Sequence, residues 1–338
     1  MYDWFNNTYC FLLAKIRIST GIKRKIKGLL QLLYGIPLIF LMVSLFKPNS
    51  TIKYIFVLIT LVLVYTGIIW CLKRKNVLFY VSVLNVVFIF LDLILKGELS
   101  RYSVLSHDPI IGARYFGIGN EMVGILLGSV SIVAGYLFNK YNSRILPICL
   151  FFISIVVVGH PKLGANVGGT MALIIASLYY IMEMLNKNIN IRSLAIIGTT
   201  IIIVILIMGY IDIKVNPNPT HLGKTLILLK EDGLSIANNI IFRKILMNIK
   251  LIGSSFWTNL LLLDITIYTL LCNFFNIKEN NIGTNILMGL MAEIAGSIGG
   301  FLLNDSGIIL SALSMNMLTI LLIFKLIDEG TLKKQEVK

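Results

Sequence analysis

Apolar residues run along this chain in blocks long enough to cross a bilayer, separated by short polar breaks. A transmembrane helix needs about 20 predominantly apolar residues. Ten blocks qualify: 29–46, 54–72, 77–95, 119–138, 145–159, 168–185, 194–213, 255–275, 282–303 and 308–327, the fifth being short. Residues 1–28 mix aromatic with basic side chains and lack a small-residue cleavage pattern after a continuous apolar core. They predict a cytoplasmic interfacial segment rather than a leader. One break, 214–254, is long. Within it, from Ser235 to Ile252, Ile241, Phe242, Ile245, Leu246, Ile249 and Ile252 fall on one helical face and Asn239, Arg243 and Lys250 on another. That pattern predicts an amphipathic helix, either lying in the membrane interface or plugging the end of the bundle. The predicted fold is an all-α integral membrane protein of about ten transmembrane helices with this interfacial helix. Residues 29–327 form one polytopic domain and 328–338 a cytoplasmic tail.

Composition agrees: 57% of the residues are hydrophobic and 14% charged, far from the roughly quarter-charged mix of soluble domains. The formal charge of +14 would suggest nucleic acid, but 18 of the 30 Lys and Arg fall in the N-terminal segment, the tail, alternate breaks and, with Lys325, the end of the last span. Basic residues cluster on the cytoplasmic side of membrane proteins, so the charge reports topology and no nucleic-acid partner is expected. Both termini are then cytoplasmic, at a plasma membrane. Cys10, Cys71, Cys149 and Cys272 are isolated, without metal or disulfide-framework spacing.

This topology places four polar, glycine-bearing segments on the outer face: SHDPIIGARYFGIGNE (106–121), GHPKLGANVGG (159–169), NPNPTHLGKT (216–225) and LLNDSGII (302–309). Spans four, six and ten start from that face behind such segments, so their unpaired amides and positive dipole ends point outward. Helix N-termini favour anions, and glycine admits a ligand close to the backbone. The predicted anion site therefore comprises Gly119, Asn120, Asn166, Gly168, Gly169, Asn304, Asp305 and Ser306. Arg114, Lys162, Lys224 and Arg243 add positive charge, with Tyr115 beside Arg114. The blander reading of Asn304, Asp305 and Ser306 is ordinary helix capping.

All three histidines, His107, His160 and His221, lie in these outer segments. With Asp108 and Glu121 they are the candidates for proton transfer. They lack the spacing of a metal motif, so no metal ligand set is assigned, and no cofactor is identified. Two of the acids within spans are singled out. Glu293 lies among Gly289, Gly296 and Gly300, and Asp264 lies in span eight. An ionisable group at that depth marks either function or a structural pairing. Span four carries a matching small face, Gly124, Gly128 and Gly135, which predicts a central place in the bundle.

At DPIIGARYFGIGNE, GHPKLGANVGG, THLGKT and IIFRKILMNIKLIGSSFW, with NDSG near the end, the chain resembles a family of bacterial multi-pass membrane proteins. The similarity covers roughly residues 100–310. Longer members of that family join the membrane module to an extracytoplasmic domain of the alkaline-phosphatase type. The resemblance implies a cell-envelope role and a separate extracytoplasmic enzyme as a partner, and it assigns no catalytic residue.

Three functions are expected from these features. The first is binding of an anionic, phosphate-bearing lipid or lipid-linked glycan at the outer leaflet, with group transfer on it. The second is a transporter or lipid flippase, and the third a non-catalytic scaffold for an envelope enzyme.

Overall fold

The computed structural model describes residues 20–72, 76–108, 112–113, 116–232, 235–274 and 284–328. Thirteen helices are formed among them: α1 (Thr20–Ser44), α2 (Thr51–Leu72), α3 (Val77–Ile94), α4 (Glu98–Tyr102), α5 (Asn120–Tyr141), α6 (Ile145–Gly159), α7 (Val167–Met184), α8 (Ile191–Val215), α9 (His221–Asp232), α10 (Ser235–Ser254), α11 (Phe256–Phe274), α12 (Thr284–Leu303) and α13 (Gly307–Asp328). A two-residue antiparallel pair joins β1 (His107–Asp108) to β2 (Gly112–Ala113). Nine of these helices are long and apolar enough to span a bilayer. The protein is an all-α, multi-pass membrane protein.

The fifth predicted span is α6, and its 15 residues reach only about 22 Å at 1.5 Å per residue. The chain then turns back on the helix end. Gly164 N and Asn166 N donate to the carbonyls of Val157 and Val158, at 3.0 and 3.1 Å, so the segment 160–166 folds back against the helix with Pro161, Gly164 and Asn166 buried. Irregular backbone is tolerated at such depth only where protein covers it. The boundary expected near residue 28 is not a break in structure, because α1 carries Lys23, Arg24, Lys25 and Lys27 in the same helix as the first span. Residues 1–19 and 329–338 lie outside the described residues, as do most of the basic breaks at 73–75 and 276–281.

The core is built around α5 and α13, both largely buried, as the small face of span four predicts. α12 packs against α5, α7 and α13, and α3, α6 and α7 complete the wall around α5. Glycine allows the closest approaches. A Cβ at Gly289 would collide with the Ser131 carbonyl, and one at Gly124 with the Leu310 carbonyl. With lipid as apolar as the side chains, backbone contact of this kind is what holds membrane helices together. α2, α8 and α11 are peripheral, with most of their apolar surface turned outward.

Two buried acids inside spans are structural. Asp92 near the end of α3 accepts from the amides of Leu99 and Ser100, at 2.7 and 2.9 Å, and from the Ser100 hydroxyl. Asp212 in α8 accepts from the Thr220 hydroxyl, the Asn216 amide and the Gly223 backbone N–H, at 2.7, 2.6 and 2.9 Å. Each carboxylate thereby satisfies the orphan donors of the turn or helix that follows it.

Candidate functional site

Three of the four polar segments meet where α5, α7 and α13 begin. Asn120, the first residue of α5, stands at the centre. Its Oδ1 accepts from Asn166 Nδ2 at 3.0 Å and from Asn304 Nδ2 at 2.8 Å, and its Nδ2 donates to Ser306 Oγ at 2.9 Å. Asn166 also donates to the Ile118 carbonyl at 3.0 Å, while its Oδ1 caps α7 by accepting from Gly169 N at 2.8 Å. All four polar side chains are buried. The glycines fit this junction closely: an added Cβ at Gly168 would stand 2.6 Å from Asn304 Nδ2. Gly117, at a left-handed φ of 74°, brings the chain against the carbonyl of Gly164, which accepts from Ile118 N at 2.8 Å.

The predicted convergence of the three N-termini is therefore present, but the asparagines bind one another. They form a polar lock rather than an open pocket. Positive character is left at its edge, where three aligned helix N-termini each contribute a partial charge. There α10 crosses the start of α13. Lys244 Nζ donates to the Leu303 carbonyl at 3.0 Å, and Asn248 Nδ2 to the Asn304 carbonyl at 2.7 Å. Desolvation pulls the half-buried Lys244 ammonium below the usual lysine range; neighbouring Asp305 opposes this and Arg243 reinforces it. Phe242, Ile245, Leu246, Ile249 and Ile252 face away from the protein and are exposed. The helix thus presents its apolar stripe outward, as an interfacial helix does, and anchors to the bundle through polar residues. The plug reading would require the opposite.

The other predicted site residues are dispersed around this edge. Asp305 is exposed at the turn and Gly119 is buried just before α5. The buried Glu121 turns back along its own helix start, its Oε2 lying 2.9 Å from where a Cβ on Gly119 would be. His160 follows α6, half-buried, with Nδ1 accepting from Lys162 N at 3.2 Å, and the Lys162 side chain is exposed. Lys224 is exposed on α9 and Arg243 on α10. Arg114 and Tyr115 lie outside the described residues, as do the side chains of His107, Asp108 and His221.

No family model, curated protein or solved structure matches this chain. Three features escaped the sequence reading: the hub role of Asn120, the anchoring of α10 through Lys244 and Asn248, and the helix-capping carboxylates Asp92 and Asp212. Asp92 and Asp212 each precede a glycine-bearing polar break, a capping signal available from spacing alone. The inward turn of Lys244 has no sequence signal, because Arg243 and Lys244 stand side by side in an amphipathic pattern that serves either.

A separate contact braces the same end. Lys47, after α1, pairs with Glu98 of α4 at 2.7 Å, raising the lysine and lowering the glutamate through their mutual hydrogen bond. Both are well exposed, and pairs of that kind contribute little to stability.

Proposed function

We propose that the protein binds an anionic, phosphate-bearing lipid or lipid-linked glycan headgroup at the outer leaflet of a bacterial plasma membrane, against the edge where α10 meets the start of α13. The observation that carries this is Lys244: a partly desolvated cation on a helix whose apolar face is turned outward, held on the Leu303 carbonyl that ends α12, next to Asp305 and the start of α13. An ammonium that has already lost water gains more from a phosphate than an exposed one. Its depth is that of a headgroup, because the stripe next to it lies among acyl chains. Arg243 and Lys162 are the further cations on this side, and Arg114 is the sequence candidate for a two-point phosphate contact. The proposal is one of binding. Group transfer would draw its base from His107, His160 or His221.

The test is the lipid carried through purification, identified by mass spectrometry, together with binding to vesicles of phosphatidylglycerol or of phosphatidylcholine. The expected result is enrichment of a polyprenyl phosphate or anionic phospholipid. Lys244→Gln should weaken phosphatidylglycerol binding about five- to tenfold, the worth of about 1–1.4 kcal/mol for one interfacial cation. Binding should fade as pH rises through the lowered Lys244 pKa, since only the protonated amine attracts phosphate. A copurified lipid profile equal to the membrane average, with no effect of Lys244→Gln, overturns the proposal in favour of a scaffold.

A further inference from the structure

Glu293 sits at the midpoint of α12, ten residues from Leu303, which is about 15 Å by helix rise and so near the middle of a hydrocarbon core of about 30 Å. It is 0% exposed. Its Oε1 accepts from Ser314 Oγ of α13 at 3.2 Å, and its Oε2 has no partner. Gly128 of α5 makes room for it, since a Cβ there would stand 2.8 Å from Oε1, and Met317 closes the space beside Gly128. No described cation pairs with this carboxyl. A lone carboxylate in such surroundings costs many kcal/mol, so the group needs a compensating positive charge.

Polar side chains offer a route for that charge. From Glu293 towards the asparagine junction, polar groups line the seam between α12 and α13. Ser314 is followed one turn on by Ser311, whose hydroxyl donates to the Ser297 carbonyl at 2.7 Å. The Ser297 hydroxyl, one turn from Glu293 on α12, is buried without a partner. Next come Asn304 and Ser306, both bonded to Asn120. Hydroxyls donate and accept by simple rotation, and an unpartnered one inside a bundle has capacity to spare.

We infer that Glu293 is a proton-binding site at mid-membrane that exchanges with the junction face along the Ser314–Ser311–Ser297 seam. The inference is independent of the headgroup reading. The groups around Glu293 leave it as the titrating one. Tyr34 of α1 is near enough to interact with it electrostatically and is bonded to Ser82 at 2.5 Å. On the packed elements, Glu121 lies at the junction end, and Tyr180 and Glu183 of α7 and Lys325 of α13 lie towards the opposite end. Asp264 of α11 reaches α13 at Asn316, at 3.4 Å, two residues past Ser314 and so on the other side of that helix.

The experiment is an infrared pH titration of the purified full chain, following the carbonyl band of a protonated carboxyl. The band should be present at neutral pH, vanish reversibly at alkaline pH, and be missing in Glu293→Gln. Exchange into deuterated buffer should shift it, and the paired change Ser297→Ala with Ser311→Ala should slow that shift several-fold while leaving the titration end-points in place. Labelling of wild-type Glu293 by dicyclohexylcarbodiimide, read by peptide mass spectrometry, keeps the test valid if the glutamine variant misfolds; it should fall as pH rises. A band or adduct that does not respond to pH overturns the inference. Displacement by Na⁺ at constant pH also overturns it, by making the site one for a metal cation, and so does an unchanged exchange rate in the double serine variant.

Discussion

Asn120 uses both ends of its amide at the junction, accepting twice and donating once to three residues far from it in sequence. A leucine there would fill similar space and leave two amide donors and a hydroxyl without partners. At about 0.6–1.5 kcal/mol per hydrogen bond inside a membrane protein, Asn120→Leu should cost about 2–4 kcal/mol, read as a lowered unfolding midpoint in detergent. Asn120→Asp keeps both acceptor positions and adds negative charge among three helix N-termini, so it should lose less. Equal losses would mean that the site responds to volume alone. Glycine acts at the same scale: the Gly168 position is occupied as far as Asn304 allows, and no sequence pattern specifies that tolerance.

At the scale of elements, α10 shows how far periodicity reaches. Apolar residues recurring every three or four positions specify a helix with a stripe, and that helix formed over Ser235–Ser254. What periodicity leaves open is which side meets the protein. The bundle took the side of Lys244, Asn248 and the buried Leu251, because the carbonyls of Leu303 and Asn304 at the α12–α13 turn need donors. A nitroxide on Ile249→Cys should therefore be more accessible to oxygen than to an aqueous nickel complex, and one on Lys250→Cys the reverse. The same accessibility at both sites would remove the interfacial assignment. The short α6 belongs here too: its shortfall is real, and the chain compensates by folding 160–166 back onto the helix.

Across the whole molecule, alternation of the helices brings the Ile118, Asn166, Asn304 and Asn248 contacts to one end. The proposed orientation, with that end outward, follows from the distribution of lysine and arginine. In a background without native cysteines, Asp305→Cys should react with an impermeant thiol reagent on intact cells and Asn142→Cys should not. Both positions are exposed in the fold, so access to solvent does not confound the result. Opposite labelling would turn the protein over and end the outer-leaflet reading.

The spans, their number to within one short helix, the central place of α5 and the meeting of three N-termini were legible in the sequence by itself. Hydrocarbon thickness demands a run of about 20 apolar residues wherever a helix crosses, and glycine faces mark where helices crowd; neither depends on distant parts of the chain. The tertiary structure alone decided that Asn120, Asn166 and Asn304 satisfy one another instead of opening towards a ligand. It also decided that Asp92 and Asp212 cap their own neighbourhoods while Glu293 keeps an unpartnered oxygen. Those outcomes rest on partners separated by up to 186 residues. A buried polar group is neutralised by whatever the fold sets beside it, and sequence spacing does not encode that neighbour.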